Sequence, residues 1–191
     1  KIDPIGNIFG ILYGKGDSCA DALMIGSHID TVINAGPFDG VYGVLSGLAV
    51  ARAFRNAGVR PLRPLIVAAF TNEEGVRFQP DMMGSLFFTG GIPIDDALET
   101  KGIDGALLGQ ELRRIGYKGE TEPSSLFPAE YLELHVEQGP VLDSKELDIG
   151  VVDNLQGISW KRIEISGTAN HAGTTPVSMR RDAGVAAARI I

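Results

Sequence analysis

The 191-residue sequence has a single cysteine and no run of about 18 apolar residues, the length that crosses a bilayer. A lone cysteine, Cys19, cannot form an intrachain disulfide, and such sparse cysteine is typical of a reducing compartment. The opening residues carry no signal-peptide pattern. We therefore expect a cytoplasmic protein without a membrane partner.

Positive charge is also scarce. Lysine and arginine number 17 against 24 aspartates and glutamates, which gives a net charge of -7. Without a basic tract the sequence offers no electrostatic footprint for nucleic acid, so we expect no nucleic-acid partner. Hydrophobic residues make up 44% and charged residues 21%, as in ordinary globular proteins.

The two ends of the sequence lack the usual signals of a start and a stop. No initiator methionine is present, and the final residues AGVAAARII have a helical pattern without a stop signal. We therefore expect this sequence to be a piece of a longer chain.

Apolar runs and helical spacing predict an α/β fold. The run ALMIGSH (22–28) and the run PLIVAAFT (64–71) each predict a buried strand, and apolar residues at helical spacing from Gly40 to Asn56 predict a helix between them. Strand, helix and strand in this order indicate a parallel unit. We therefore expect the α/β class of fold.

Further along, the alternation in YLELHVEQ predicts another strand, with His135 and two glutamates on its polar face. LDIGVV predicts one more. The pattern changes near residue 156, where a segment with one polar face is followed by a loop and a short helix. We therefore expect one domain over residues 1–155 and the start of a smaller α+β domain over 156–191.

All three histidines occur in short polar motifs of the kind that hold metal ions. The motifs are GSHIDTV with His28, ELHVEQGP with His135 and TANHAGTTP with His171; Asp39 in an FDG turn and the pair Glu73 and Glu74 in FTNEEG lie between the first two. Several of these motifs end predicted strands, the edge at which α/β sheets bind ligands. This convergence predicts a site for divalent cations.

The spacing of the candidate ligands suggests separate roles. In H-x-D, His28 and Asp30 share one face, so the carboxylate can accept the second N–H of a metal-bound imidazole. Asp39 is short enough to bridge two cations. Of Glu73 and Glu74, one can ligate while the other takes a proton from bound water, and spacing alone does not settle which.

Each motif taken alone has a plainer interpretation. A lone H-x-D is more often a surface or core pair, and two adjacent glutamates usually lie on a solvated helix face. A histidine on a strand's polar face is more often hydrogen-bonded than ligating, and a loop histidine such as His171 commonly caps a turn. Only their joint occurrence at the ends of strands favours the metal site.

Four motifs in order, GSHIDTV with FDG, FTNEEGVRF, LELHVEQGPVLD and GTANHAGTTP with RRDA, closely resemble the amidase/hydantoinase/carbamoylase branch of the di-zinc aminoacylase-like metallopeptidases. The resemblance implies a zinc-exopeptidase-like catalytic domain, which is a mixed sheet with helices on both faces, followed by a smaller α+β lid or dimerisation domain. It also implies two divalent metal ions and a homodimer. We expect zinc, although manganese, cobalt or nickel suits the same ligands. It also implies hydrolysis of N-carbamoyl amino acids or ureido compounds, such as allantoate or β-ureidopropionate, by a metal-activated water.

The same resemblance implies a role for each candidate residue. His28 and His135 would hold one metal with the bridging Asp39, and Glu74 would hold the second. Glu73 would act as general acid/base and Asp30 would orient His28. Gln138 would lie near substrate or metal, and His171 would stabilise the negatively charged oxygen of the tetrahedral intermediate.

This sequence departs from the family pattern in length and in one ligand. Family members are about twice as long and carry a further histidine ligand in a C-terminal stretch, whereas no fourth histidine is present here. The second metal would then depend on Asp39 and Glu74 alone. Three hypotheses remain: a segment of a full-length enzyme, a truncated non-catalytic protein, and an aminoacylase or dipeptidase of the wider family.

Overall fold

The computed structural model describes residues 1–16, 18–34, 36–159 and 161–190. By the density of its internal contacts the chain divides into two compact units, Lys1–Val141 and Leu142–Ile191. Among the described residues no helix is long and apolar enough to cross a membrane.

The first unit is built on a mixed four-stranded sheet in the order β1-β3-β2-β4. Its strands are β1 (Ile8–Leu12), β2 (Leu23–His28), β3 (Leu65–Phe70) and β4 (Glu130–Leu132). β2 pairs in parallel with both β3 and β4, whereas β1 is antiparallel to β3. This confirms the predicted α/β fold with a mixed sheet.

Helices cover both faces of this sheet. α1 (Val41–Asn56) packs on one face, where Val44 joins Val67 and Ala69 of β3 in a small buried cluster. The opposite face carries a larger cluster that includes Phe88 at the end of α2 (Met83–Phe88). The predicted helix and its two flanking strands are therefore confirmed to within one residue at their ends.

Aromatic rings fill the face opposite α1. Phe9 of β1 contacts Phe70 edge-on at a centroid distance of 6.3 Å and Phe88 at 5.5 Å. Edge-to-face and offset contacts of this kind add to the free energy gained from burying the rings. They fix β3 against α2, and the chain between these two elements carries the glutamate pair.

Two short helices complete this layer. α3 (Ile94–Leu98) and α4 (Leu108–Arg114) bury Ala97, Leu108 and Leu112 in a second cluster with Ile5 and Met83. This cluster anchors the N-terminal residues to the start of α2.

A buried polar network links the N-terminus to the end of β3. The Asn7 side-chain amide donates to Asp3 Oδ2 at 2.8 Å and to the Gly84 carbonyl at 2.9 Å, and its oxygen accepts from the Thr71 amide at 2.8 Å. Both the nitrogen and the oxygen of the Asn7 side-chain amide therefore have hydrogen-bond partners, as buried polar groups usually do. Burial raises the pKa of Asp3 to about 6, against the lowering effect of hydrogen bonds from Asn7 and Ile5.

The C-terminal part of the predicted strand YLELHVEQ is wrong, because β4 ends at Leu132. Past this point the chain contacts β2 through side chains, as when the Ser27 hydroxyl donates to Glu133 Oε1 at 2.7 Å. The predicted strand LDIGVV is also not formed, since residues 147–152 have no strand partner among the described residues. A strand requires a neighbour for its backbone groups.

The second unit contains little regular structure. It includes α5 (Val141–Ser144), which begins at the last residue of the first unit, and α6 (Ala183–Ala188). The Asp182 side chain caps α6 by accepting from the Gly184 and Val185 amides at 2.9 and 3.1 Å. None of the described residues from 142 to 190 is buried. The predicted domain boundary near residue 155 stays a prediction.

Gly84 packs closely against the N-terminal network, so a larger residue at this position tests that packing. A Cβ at position 84 would lie 2.5 Å from both the amide nitrogen and the carbonyl oxygen of Thr71. We expect Gly84→Ala to lower the free energy of unfolding by at least about 2 kcal/mol, because backbone atoms cannot yield as a side chain can. Denaturant unfolding measures this change.

The matched control is Gly10→Ala on edge strand β1, where an added Cβ meets nothing within 4 Å. We expect it to change the free energy of unfolding by less than about 0.5 kcal/mol. Equal effects of the two substitutions would contradict the packing described for Gly84.

Candidate metal centre

The sheet brings the candidate ligands together at one edge. His28 is the last residue of β2, and it pairs with Phe70, the last residue of β3. The chain leaving β3 therefore begins beside His28 and reaches Glu73 three residues later. His135 lies the same distance beyond Leu132, the end of β4. β2 and β3 end at one level, whereas β4 ends opposite Ile25, and the three residues that follow it bring His135 to the same end of the sheet.

His28 is buried and its ring is held through the backbone. Its Nδ1 lies 2.8 Å from the carbonyl oxygen of Asp30. A carbonyl only accepts, so Nδ1 carries the hydrogen and the Nε2 lone pair is left to bind a cation. The structure thus differs from the predicted arrangement, because the Asp30 carboxylate is 3.7 Å from Nδ1 and its carbonyl is the acceptor.

His135 repeats this arrangement from the other side. Its Nδ1 lies 2.9 Å from the Val136 carbonyl, so its Nε2 lone pair is also free for a ligand. The Nε2 atoms of His135 and His28 are only 3.4 Å apart. Two neutral imidazoles would there face each other lone pair to lone pair, an arrangement that a shared cation stabilises.

Asp39 supplies the negative charge at this point. Its Oδ1 lies 3.4 Å from His135 Nε2 and 3.9 Å from His28 Nε2. The residue is 5% exposed, and its Oδ2 is buried without a hydrogen-bond partner among the described residues. Buried carboxylate oxygens are costly unless paired or bound to a metal, so the donor set fits a divalent cation.

Steric crowding explains why glycine follows Asp39 in the FDG motif. Gly40 has φ of 55°, and a Cβ there would come within 2.5 Å of both ring nitrogens of His28. A side chain at this position would displace the ring. The turn that delivers Asp39 therefore also makes room for the imidazole.

Two overlapping groups of side chains can each hold a cation. The first is His28, Asp39 and His135, and the second is His28, Glu73 and Glu74, with the ligand atoms of each group within 4.8 Å of one another. The Glu73 carboxylate approaches His28 Nε2 at 3.5 Å. Nitrogen and oxygen donors at this spacing suit zinc and its neighbours in the transition series.

Burial and crowding of carboxylates raise the pKa of both glutamates. Burial raises the pKa of Glu73, and the charges of Asp30 and Glu133 add to that effect while His28 and His135 oppose it. Burial, followed by the adjacent Asp39 carboxylate, raises the pKa of Glu74 to about 7. Like charges this close favour one bound proton or a cation.

The turn that carries these glutamates is held from several sides. Asn72, at φ of 53°, donates from its side chain to the carbonyls of Phe78 and Pro80 at 2.8 and 3.1 Å. The Asp30 carboxylate accepts from the amides of Glu73 at 3.3 Å and Glu74 at 3.1 Å. The sequence motif NEEG gave no direct sign of these backbone contacts.

Two of the predicted site residues, Gln138 and His171, belong to neither ligand group. Gln138 lies in the exposed loop after His135 with φ of 53°. In the second unit, His171 Nδ1 accepts from the Gly173 and Thr174 amides at 3.1 and 3.2 Å. A neutral His171 therefore carries its hydrogen on Nε2, which can act as a donor.

Beside the ligands lies a cavity that the sequence did not reveal. Its volume is ≈ 770 Å³, and His28 and Glu73 line it together with Tyr131 and Glu133. The Glu133 carboxylate accepts from the hydroxyls of Ser27 at 2.7 Å and Tyr131 at 2.6 Å. The predicted alternation places Glu133 on the face of Tyr131 and His135, but it does not indicate Ser27 as a partner.

Known proteins resemble this chain over its whole length. A sequence model of the peptidase family M20/M25/M40 matches residues 24–190. An N-carbamoyl-L-amino-acid amidohydrolase of Rhizobium meliloti is 41% identical over 190 residues, which cover 100% of this chain and 45% of that protein. Allantoate deiminase 1 of Glycine max is 37% identical, with 100% and 41% covered.

A crystal structure of a hydantoinase/carbamoylase family amidase from Burkholderia ambifaria shares the fold. It superimposes with a TM-score of 0.74 at 39% identity, covering 100% of this chain and 46% of that one. The chain therefore spans less than half the length of the relatives that it matches.

The facing imidazoles predict that metal affinity depends on His135. We expect His135→Ala to weaken binding of Zn²⁺ by at least about 100-fold. Loss of a residue that only hydrogen-bonds to a metal ligand already lowers metal affinity by about 10- to 100-fold. Isothermal titration measures this affinity. His171→Ala is the matched control, because His171 belongs to neither ligand group. A comparable loss in both variants would argue against the assignment.

Proposed function

Because this chain belongs to peptidase family M20/M25/M40, we propose that the protein is a metal-dependent amidohydrolase acting on non-peptide C–N bonds. Its substrates in this proposal are N-carbamoyl amino acids or related ureido compounds, such as allantoate and β-ureidopropionate. The names of the similar proteins from Rhizobium meliloti and Glycine max support this substrate class.

One observation carries the proposal. Two imidazole Nε2 atoms 3.4 Å apart face a buried carboxylate whose second oxygen has no hydrogen-bond partner among the described residues. Such a group of unpaired acceptors is unfavourable without a cation and well suited to one. In this proposal His28, His135 and Asp39 hold one ion, and Asp39 with Glu74 holds a second.

When bound, divalent ions lower the pKa of a water molecule and polarise the carbonyl that it attacks. Glu73 faces this position, with Oε2 3.5 Å from His28 Nε2. In the proposed reaction its carboxylate takes the proton of the attacking water and delivers it to the leaving nitrogen. Burial raises the pKa of Glu73, and this direction supports the role, because a carboxylate with a raised pKa accepts a proton more readily.

His171 is the proposed donor to the oxygen that becomes negative during the attack. Its Nδ1 is occupied by two backbone amides, so a neutral ring presents Nε2–H. A donor aimed at a developing oxyanion lowers the activation barrier. Hydrolysis of a carbamoyl group then yields carbon dioxide, ammonia and a free amino acid or amine.

The remaining assignments also belong to this proposal. Gln138 would contact substrate, residues 1–155 would form the N-terminal part of the catalytic domain, and 156–191 would begin the lid or dimerisation domain. We propose zinc as the metal, a homodimer as the assembly and the cytoplasm as the location. Since Asp39 and Glu74 are too few ligands for the second ion, the 191-residue chain by itself would be inactive.

A panel of substrates, assayed on the full-length protein of which this chain would be a segment, tests the reaction class. We expect ammonia release from N-carbamoyl amino acids or allantoate, because two similar proteins are named for these substrates, and we include β-ureido acids as related ureido compounds. N-acetyl amino acids and dipeptides serve as controls. Turnover of the controls alone would replace this proposal with an aminoacylase or dipeptidase.

Glu73→Gln tests the acid/base role. We expect turnover of the best substrate in that panel to fall by about 10²- to 10⁴-fold, because an amide cannot take up the proton of the attacking water. Zn²⁺ affinity should stay within a few-fold, which titration calorimetry measures.

Glu130→Gln is the matched control, since Glu130 pairs with Arg63 at the start of β4. It should leave turnover unchanged. If Glu73→Gln keeps full activity, another group is the base.

A further inference from the structure

We propose that the Glu133 carboxylate recognises the terminal NH₂ of a carbamoyl or ureido group and thereby selects this group over the methyl of an N-acetyl compound. Glu133 is then a specificity-determining residue, and the inference rests on the function proposed above. The juxtaposition that carries it is a carboxylate fixed by two hydroxyls on the wall of the cavity that His28 and Glu73 also line.

Two hydroxyl groups from neighbouring strands hold the Glu133 carboxylate. Ser27, buried in β2 directly before His28, donates to Oε1 at 2.7 Å, and Tyr131 of β4 donates to Oε2 at 2.6 Å. Hydrogen bonds from a hydroxyl to a carboxylate are short and strong. Because each oxygen takes one donor, the orientation of the group is set before a ligand binds, which reduces the entropy lost on binding.

These two bonds leave part of the carboxylate's hydrogen-bonding capacity unused. The two oxygens of an ionised carboxylate offer about four lone-pair positions, and the group has no hydrogen to donate. After the hydroxyls of Ser27 and Tyr131 are paired, Glu133 can accept about two further hydrogens. The partner that completes the group must therefore be a donor.

The four hydroxyls that line the cavity give their hydrogens to the protein. Besides those of Ser27 and Tyr131, the Ser85 hydroxyl donates to the Met82 carbonyl at 3.0 Å, and the Thr89 hydroxyl donates to the Ser85 carbonyl at 2.9 Å. A hydroxyl whose hydrogen is used presents only lone pairs to a ligand. The polar part of this wall is therefore rich in acceptors.

A terminal carbamoyl group complements such a wall. Its NH₂ offers two N–H donors, whereas the N-acetyl group of an otherwise identical compound places a methyl at the same point. A methyl would displace water from the Glu133 carboxylate without pairing with it, which weakens binding. Glu73 lines the same cavity, but its proposed task is the attacking water, so Glu133 is the carboxylate left for the NH₂.

A purely structural role for the same contacts makes a different prediction. Ser27 directly precedes His28, and Glu133 lies two residues before His135, so their hydrogen bond also ties together the segments that carry the two imidazoles. If that were its whole purpose, loss of Glu133 would weaken Zn²⁺ and every substrate alike. Recognition of NH₂ instead affects only the compounds that carry this group.

Competition kinetics on the zinc-loaded full-length protein separates these two roles. The ureido compound that is turned over best in the substrate panel is compared with its acetyl counterpart, in which a methyl replaces each terminal NH₂. Kinetics of the first compound give kcat/KM. Inhibition of its turnover by the second compound gives KI, whether or not the acetyl compound is itself hydrolysed.

The decisive variant is Glu133→Met, which keeps the length of the side chain and removes both acceptor oxygens. We expect kcat/KM for the ureido compound to fall by about 10- to 100-fold, the loss expected for one hydrogen bond to a charged group. KI for the acetyl compound should change by less than about threefold, because a methyl makes no such bond. Glu133→Gln restores one acceptor oxygen and should recover part of the loss.

Glu130→Met is the matched control, since Glu130 begins the same strand and pairs with Arg63 outside the cavity. It should change neither constant. Equal losses for the two compounds in Glu133→Met, or a fall in Zn²⁺ affinity as large as the fall in kcat/KM, would assign Glu133 a structural role and overturn the inference. If Glu133→Met does not fold, the same comparison in Glu133→Gln decides.

Failure of the proposed function has a different signature. If the wild-type protein turns over no ureido compound, the proposed function and this inference are both wrong. If ureido compounds are turned over and Glu133→Met leaves their kcat/KM unchanged, the proposed function stands and only the inference is wrong.

Discussion

The parallel pairing of β2 with β3 is the constraint on which the candidate site depends. It sets His28 opposite Phe70, so that both strands end at one level and the glutamate turn begins beside the imidazole. A shift of this register by one residue would turn His28 to the other face of the sheet. The aromatic contacts of Phe70 and the α1 packing on β3 hold the register, and the ligand group follows from it.

Much of this arrangement could be predicted from the sequence, because each motif by itself indicates its local secondary structure. An apolar run that ends in His28, and a second that ends in a threonine before the glutamates, indicate strands delivering polar groups to one edge. The helical spacing between them indicates the crossover. The order of motifs identifies the family because their residue types and spacing occur together.

The rest depends on contacts between residues far apart in the chain, which no local pattern encodes. The Asp30 carboxylate accepts from the amides of Glu73 and Glu74, which are 43 and 44 positions away in the chain. Beyond Leu132, where β4 ends, a hydrogen bond between the side chains of Ser27 and Glu133 lies where the predicted strand would have continued. Neither could be predicted from alternation, because alternation describes one strand and these contacts involve two.

Asn7 gives the N-terminal segment a part in the order of folding. Its side chain bonds to residues 64 and 77 positions away, at Thr71 and Gly84. Contacts of such separation require a long loop to close first, which slows their formation relative to helices and hairpins. The geometry of the chain at Thr71, where the glutamate turn begins, thus includes a contact with the first residues of the chain. During synthesis, Asn7 can form its hydrogen bond to Gly84 only after the start of α2 has been made.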